Sequence, residues 1–278
     1  VLRSSIREYL CSIAMEGLNI PTTEALAIVA SDTDVYREHV ESGAIVTRVA
    51  KSHIRIGHFE LFASRGQTAE VKKLADFVID HYYPQLKGKD SYLQLFKTVI
   101  HSTAVMIARW QAQGFAHGVM NSDNMSILGL TIDYGPFSFM ETYNPSFICN
   151  HSDHQGRYSF ERQPSVALWN LDRLANAIRS LIDETHLKDA LAEYEGILVK
   201  EYSALMRQKF GLVEVNEDDS KLVNDYLQLL YLHRKDYPLS MRLLSKEDNN
   251  MGSDFDSWFE RYHQRLIQEK IKPNLRQK

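Results

Sequence analysis

The spacing of apolar residues divides the chain into a short mixed start and a long helical remainder. Apolar side chains recur at three- and four-residue steps over residues 6–18, which predicts an amphipathic first helix that ends near Gly17. Two short runs rich in apolar and β-branched residues, 25–30 and 44–49, predict neighbouring strands. The chain is therefore expected to open with one helix and a small antiparallel sheet.

Helical periodicity dominates beyond residue 51. Residues 92–113 carry an apolar stripe that includes Phe96 and Trp110, which predicts a long helix with one buried face. The same period returns after Ser165, and we expect both Trp110 and Trp169 to be core residues. The predicted class is α+β, with most of the chain helical. Further helices are predicted at residues 69–83, 187–210, 222–232 and 255–267.

Regular periodicity disappears between Gly114 and Pro164, where glycine and proline interrupt every candidate run. Only residues 125–132 have the pattern of a short β-ribbon. The stretch is too rich in Phe, Tyr and Ile to be disordered, and long irregular segments inside compact domains are usually functional. The chemistry is therefore expected in this part of the chain.

Composition narrows the class of protein. The 278 residues are 44% apolar, enough for one large core or two small ones, and no apolar run approaches the roughly 20 residues that cross a bilayer. With 32 basic and 36 acidic residues, the net charge of -4 gives no indication of nucleic-acid binding. Two cysteines, Cys11 and Cys149, are too few for a secreted disulfide framework. We expect a soluble monomer of the bacterial cytoplasm or, in a eukaryote, of the mitochondrion.

Two motifs in the irregular stretch resemble the paired motifs of the protein-kinase-like superfamily. Residues 117–124 read HGVMNSDN, and residues 133–135 read Asp-Tyr-Gly. In that superfamily a loop that begins with His supplies a base and an Asn metal ligand, and a later Asp-x-Gly supplies the second ligand. The resemblance implies that Asn124 and Asp133 hold a divalent cation against a triphosphate.

The chain departs from the kinase pattern at Val119, where related small-molecule kinases place Asp directly after His-Gly. Valine cannot accept a proton, so the ordinary phosphotransfer base is absent there. Asp123, directly before Asn124, becomes the nearest carboxylate that can orient or deprotonate an attacking hydroxyl. The departure indicates altered chemistry.

Longer motifs resemble the SelO/YdiU family of protein adenylyltransferases. The resemblance covers most of the chain up to about residue 245 and implies a kinase-like fold. Residues 1–50 would then be the remainder of a small lobe, and residues 51–278 a helical large lobe with its catalytic loop at 114–163. The matching motifs are residues 2–8, 20–23, 117–137, 147–158 and 164–171.

The family resemblance also implies a reaction. ATP binds in reversed orientation, and AMP is transferred to Ser, Thr or Tyr hydroxyls of protein substrates with release of pyrophosphate. Asp123 is then the proton acceptor, while Asn124 and Asp133 hold Mg²⁺ or Mn²⁺. Arg48 and Arg55 match the two arginines that contact the nucleotide in the family, and guanidinium forks suit phosphate oxygens.

Glu8, on the first helix, matches the Glu that orients the ATP-binding Lys of a kinase-like fold. In the family, that Lys and the Gly-rich phosphate loop come before the segment that matches Val1 and the residues after it. We therefore expect the 278 residues alone to be a poor catalyst.

Simpler interpretations stay open for several of these residues. Asn and Asp are the usual loop formers, so each predicted site residue taken alone fits a structural role. Arg48 and Arg55 also fit solvated surface charges. Residues 151–154 (HSDH) have the composition of a metal pair, although a structural role in the loop is preferred. Cys149 fits either an exposed redox switch or a buried thiol.

Three other functions compete with adenylyl transfer. An ordinary kinase that transfers the γ-phosphoryl group is compatible with Asp-Tyr-Gly but not with Val119. A catalytically silent pseudokinase scaffold is compatible with the long helical part, although both metal ligands are retained. A metal-dependent hydrolase that uses His151, Asp153 and His154 is the weakest alternative.

Overall fold

A computed structural model of the chain describes residues 1–37, 39–245 and 251–269. These residues form an α+β fold, as predicted, with one N-terminal helix, a β-hairpin, a very short second strand pair and a long series of helices. Their elements in chain order are α1 (Leu2–Gly17), β1 (Glu24–Tyr36), β2 (Val40–Val49), α2 (Ile56–Ser64), α3 (Thr68–Tyr82), α4 (Ser91–Gln113), β3 (Phe115–Ala116), β4 (Ser138–Phe139), α5 (Gln163–Ile178), α6 (Glu184–Lys209), α7 (Asp219–Leu232), α8 (Tyr237–Ser245) and α9 (Asp256–Gln268).

The two predicted strands pair as an antiparallel hairpin and are longer than predicted. Glu24 lies opposite Val49 at the open end, and Tyr36 lies opposite Val40 near the turn. The register shifts between Ser31 and the residues that follow it, which marks a bulge. The pattern of short apolar runs thus located the strands but not their polar extensions.

The first helix ends at Gly17, as predicted, but it begins at Leu2, before the apolar repeat that starts at Ile6, and the prediction of its buried face is wrong. Met15 is fully buried, and the Ser12 hydroxyl donates a hydrogen bond of 3.1 Å to the carbonyl of Thr23. The side of the helix that carries hydroxyl groups therefore faces the start of β1. The predicted inward residues are exposed, namely Ile6 (43%), Leu10 (59%) and Ile13 (47%).

The hairpin also exposes large apolar side chains. Leu26, Val29 and Ile45 are 66%, 58% and 67% exposed. We call these three residues, together with Ile6, Leu10 and Ile13 of α1, the N-terminal apolar residues. They lie at the surface, although α1 has two other side chains, Cys11 and Met15, in the main core.

Helix α4 lies at the centre of the main core, as its stripe predicted. Phe96 and Trp110 are completely buried, and the Trp110 indole N–H donates a hydrogen bond of 2.9 Å to Thr131. Trp169 of α5 is 40% exposed, so its prediction as a core residue is wrong. Helices α2 and α8 were not predicted because they are only nine residues long.

A second core cluster joins the helices from α6 onward. Trp258 stacks on Tyr262 with ring centroids 5.0 Å apart, and Tyr226 lies 4.3 Å from Trp258. Phe210, at the end of α6, meets Tyr226 edge to face. These aromatic contacts bury the inner faces of α7 and α9.

The N-terminal segment is attached to the helical part by backbone pairing around the irregular middle. Thr131 donates its N–H to the Pro21 carbonyl at 2.8 Å and accepts from the Thr23 N–H at 3.2 Å. The chain after β2 pairs with the same region, because the Ile56 N–H donates to the Met125 carbonyl at 2.9 Å. None of the helices in residues 1–37, 39–245 and 251–269 has the length and apolar character of a membrane span.

A buried ion network fixes the C-terminal helices. The Nε atom of Arg265 lies 2.7 Å from Asp219, and its Nη1 atom lies 3.1 Å from Glu269. One Glu269 oxygen also accepts the backbone N–H groups of Val213 and Glu214, each at 3.0 Å. All three charged side chains are at most 8% exposed. Water does not reach these charges, so each one is stabilised by its charged and hydrogen-bonding partners instead.

We predict that Asp219→Asn lowers the free energy of unfolding by about 3 kcal/mol, because it leaves a buried guanidinium short of a countercharge. Asp225→Asn on the same helix is the matched control. Asp225 contacts Lys221 at 2.8 Å and Arg261 at 2.6 Å in exposed pairs, so its loss should cost no more than about 1 kcal/mol. Urea denaturation of both variants measures the difference, and equal costs would contradict the prediction.

Candidate active site

A buried histidine connects the two predicted motifs. His117 is fully buried and stacks on Trp110 with ring centroids 5.2 Å apart. Its Nε2 lies 2.8 Å from the carbonyl of Ile132, the residue before Asp133, and carries the proton because a carbonyl can only accept. Its Nδ1 accepts the Val119 N–H at 3.3 Å. Burial lowers the pKa of His117, so the ring is neutral and acts as a structural link.

Two buried amides of α5 hold the same loop in place. Gln163 accepts the N–H of His117 and donates to the Phe115 carbonyl, both at 2.9 Å. Asn170 donates to the Met120 carbonyl at 2.8 Å. Neither residue was predicted from the sequence, since the only signal was a pair of polar residues within an apolar helical stripe.

The predicted metal ligands lie at the same end of a short ribbon. Met125 forms an antiparallel bridge with Thr131. Asn124 lies directly before Met125, and Asp133 lies two residues after Thr131. Asn124 is 7% exposed, and its amide N–H donates to the Val119 carbonyl at 3.0 Å. Its Oδ1 accepts no hydrogen bond from the described part of the chain, so this oxygen is left for another partner.

Asp133 occupies an exposed and conformationally unusual position. Its φ angle is 61°, in the left-handed region that Asp tolerates better than most residues. The Gly135 N–H donates to the Asp133 carbonyl at 3.0 Å and closes a tight turn. Within residues 1–37, 39–245 and 251–269 no hydrogen bond reaches its carboxylate, which faces solvent with its charge unpaired.

Arg48 is not a solvated surface charge, which was one of the two interpretations that its sequence position allowed. Its side chain is only 12% exposed, and it donates hydrogen bonds to the carbonyl and hydroxyl of Thr23. The guanidinium lies 3.6 Å from a Glu8 oxygen and 5.0 Å from the centre of the Tyr134 ring. Arg48, which lies in β2, therefore connects α1 and the residue before β1 to the residue that follows Asp133.

The carboxyl group of Glu8 is influenced by the same cluster. Burial is the largest effect and raises its pKa, the nearby charge of Asp133 raises it further, and Arg48 opposes both. Arg48 and Asp133 therefore both act electrostatically on Glu8. In this chain Glu8 has Arg48 as its ionic partner.

Arg55 lies directly before α2 and beside the ribbon. It forms an antiparallel bridge with Ser126, two residues after Asn124, and its side chain is half-buried. Its backbone N–H donates to His58 at 3.1 Å. No ion pair within the described ranges uses the Arg55 guanidinium, which remains available to an anion.

Asp123 faces an open cleft and touches α2. Its side chain is exposed, and the 3₁₀ turn Ser122–Asn124 presents it next to Gly57. A methyl group on Gly57 would lie 2.2 Å from Oδ1 of Asp123, so a larger residue there would push the carboxylate out of this position. The cleft has a volume of about 940 Å³ and is also lined by Arg173 and Arg179. The role of Gly57 was not visible in the sequence.

The HSDH segment, residues 151–154, has a structural role in the loop after Asp133, which is the interpretation preferred from the sequence. Asp153 accepts the backbone N–H groups of Arg157 at 2.9 Å and of Tyr158 at 2.7 Å. Cys149 is half-buried, and burial raises the pKa of its thiol to about 11, which disfavours the reactive thiolate. Its sulfur lies where a side chain on Gly118 would be.

The oxygen donors at Asn124 and Asp133 fit a hard divalent cation. Mg²⁺ is commonly held by one or two protein oxygens, with the remaining positions filled by phosphate oxygens and water. No group of three or more His, Cys, Asp or Glu side chains in the described ranges has the arrangement of a metal site. A closed protein cage of the zinc type therefore does not fit these residues, whereas an open site completed by a substrate does.

Comparison with protein families identifies the class of enzyme and then the family. The class is that of the nucleotidyltransferases, specifically enzymes that transfer an adenylyl group to proteins. The matching family model is described as protein adenylyltransferase SelO and extends over residues 1–276. The chain belongs to this family, because the match covers nearly its whole length.

Proposed function

We propose that this chain transfers AMP from ATP to Ser, Thr or Tyr hydroxyls of protein substrates in a reaction that depends on Mg²⁺ or Mn²⁺. The acceptor oxygen forms a bond to the α-phosphorus, the bond to the bridging oxygen breaks, and pyrophosphate leaves. The family membership supports adenylyl transfer. The observation that carries the residue assignment is the exposed, unpaired Asp123 carboxylate in an open cleft directly beside Asn124.

Five of the predicted residues have a role in this proposal. Asp123 takes the proton of the acceptor hydroxyl. The Oδ1 of Asn124 and the carboxylate of Asp133 hold the cation, which would offset the charge of the triphosphate. Arg55, with its guanidinium free of ion pairs among the described residues, binds phosphate oxygens. Arg48 also contacts the nucleotide, and its contacts with Glu8 and Tyr134 steady the Asp133 turn.

The surroundings of Val119 support this assignment over phosphoryl transfer by an ordinary kinase. Both backbone groups of Val119 are engaged, the N–H with His117 and the carbonyl with Asn124. No proton acceptor is available from this residue. We further propose a kinase-like arrangement in which residues 1–50 belong to a small lobe and residues 51–278 to a helical lobe.

Radiolabelled ATP tests the proposed reaction. The full-length protein is incubated with protein substrates and ATP labelled at either the α- or the γ-phosphate. We expect α-label on protein, an added AMP in mass spectrometry, and loss of labelling when a chelator removes the cation. Label from the γ-phosphate alone would identify a kinase, and ATP binding without labelling would favour a silent scaffold.

The roles of Asp133 and Asp123 can be separated by substitution. Asp133→Ala should abolish the metal-dependent part of ATP binding without unfolding the protein, because its side chain is exposed. Asp123→Ala should leave ATP affinity largely intact and lower the rate of transfer by about 10²- to 10⁴-fold. Calorimetry with and without Mg²⁺ measures the first effect, and transfer kinetics measure the second.

Asp90→Ala is the matched control for the backbone at Asp133. Asp90 has a φ of 60°, almost the same as Asp133, and is likewise exposed. Any loss of stability from placing Ala in the left-handed region should appear in both variants, while loss of ATP binding should appear only in Asp133→Ala. Equal loss of ATP affinity in the Asp133 and Asp123 variants would contradict the two roles.

Gly57→Ala tests the placement of Asp123. The added methyl group displaces the carboxylate, so the rate of transfer should fall by about 10²-fold while ATP affinity stays unchanged. Gly196→Ala is the control, because Gly196 lies within α6 with nothing within 4 Å of the new methyl group. Transfer by Gly57→Ala at the wild-type rate would show that the position of Asp123 is not critical.

A further inference from the structure

The cleft beside Asp123 has walls that the proposed AMP transfer does not use. One wall is α2 and the turn after it, and the other is the C-terminal half of α5. Its volume of about 940 Å³ is large enough for several amino-acid side chains. A substrate in this cleft would lie against the proposed proton acceptor.

The α5 wall carries two arginines in a chain with a net charge of -4. Arg179, near the end of the helix, is exposed, and no hydrogen bond of the described residues uses its guanidinium. Arg173 is 41% exposed, and its Nη2 lies 3.4 Å from Asp172, a long and solvent-screened ion pair. Its Nε is buried without a hydrogen-bond partner. Both guanidinium groups can therefore accept a stronger anionic partner.

Arg173 of the α5 wall also packs against the ring of an exposed tryptophan, Trp169. The guanidinium of Arg173 lies 5.3 Å from the centre of the Trp169 ring, and that of Arg157 lies 4.7 Å from the same ring. Trp169, Arg173 and Asn176 follow one another at helical spacing, so they share one face of α5. Stacking on a ring orients a planar guanidinium for paired hydrogen bonds to a carboxylate.

Negative charges also lie near the arginines, but the two guanidinium groups stand together on the α5 wall. Glu60 and Asp123 line the cleft, and Glu184 at the start of α6 interacts electrostatically with Arg179. Asp172 is occupied in part by Asn176, whose amide donates to its side chain at 3.1 Å. An acidic side chain can approach the arginine wall, whereas a basic one would meet two positive charges.

We propose that this cleft binds the protein substrate and that Arg173 and Arg179 recognise an acidic residue close to the acceptor hydroxyl. The proposal rests on the proposed function and specifies its substrate class, a Ser, Thr or Tyr within an acidic sequence. Arg173 and Arg179 are specificity-determining residues, because they contact the substrate away from the reacting atoms. The triphosphate of ATP is the competing occupant, since it carries the same charge.

Peptides of matched sequence test the proposal with the full-length protein. One set places Asp or Glu within three residues of the acceptor hydroxyl, on either side, and the other places Asn or Gln there. We expect kcat/KM and binding affinity, measured by fluorescence anisotropy, to be at least about tenfold higher for the acidic set. The preference should shrink as salt is added, because the arginines are partly exposed.

The double variant R173Q/R179Q should lose this preference while its KM for ATP stays unchanged. The single variant R179Q, altered at an exposed site, should lose part of it. R261Q is the control, because Arg261 is an exposed arginine of α9 that also pairs with an aspartate, Asp225. It should keep the full preference, and thermal denaturation confirms that all variants are folded.

The outcomes separate this proposal from the proposed function. AMP transfer by the wild-type protein with equal preference for both peptide sets overturns the substrate proposal and leaves the function intact. Tighter binding of acidic peptides that depends on Arg173 and Arg179, without any transfer, supports the cleft and contradicts the function. A preference that survives in R173Q/R179Q, together with a raised KM for ATP, assigns the arginines to the triphosphate and overturns the proposal.

Discussion

The hydrogen bond from His117 to the Ile132 carbonyl is the contact on which the arrangement of the candidate site depends. The His117 imidazole binds both the segment that ends in Asn124 and the segment that contains Asp133. The backbone N–H of His117 in turn donates to Gln163 of α5. A side chain with a donor on one side and an acceptor on the other is required for this link. No apolar residue of similar size can replace it, because the buried Ile132 carbonyl and the half-buried Val119 N–H would lose their partners.

The site is assembled from elements that are distant in the sequence. The motifs supply Asp123, Asn124 and Asp133, while α2 supplies the space beside Asp123 through Gly57. Arg48 contributes from the edge of the hairpin through its contact with Tyr134. The irregular middle can carry so little regular structure because the surrounding elements satisfy its backbone groups. Its order is therefore a property of the whole fold.

The sequence predicted elements well where one face of a helix is fully buried. The stripe of α4 was identified correctly, because Phe96 and Trp110 face a core on which several helices converge. The same reasoning was wrong for α1 and for Trp169. Periodicity shows that a helix has two faces, but hydroxyl groups such as that of Ser12 can face inward when a backbone carbonyl receives them. Burial of such a face depends on tertiary contacts that the pattern does not contain.

The candidate site shows the same division between local and distant information. Short motifs and their spacing selected Asp123, Asn124 and Asp133, whose roles stay predictions. Gln163, Asn170 and Gly57 were missed, since their functions exist only through contacts with chain segments 45 or more residues away.

The N-terminal apolar residues have a practical consequence for handling the molecule in solution. Ile6, Leu10 and Ile13 on α1 and Leu26, Val29 and Ile45 on the hairpin present hydrocarbon directly to water. Surfaces of this kind favour association between molecules as the protein is concentrated, and excluded salts such as sulfate strengthen that tendency. Dilute samples at modest ionic strength are therefore the conditions under which single molecules of this chain are best observed.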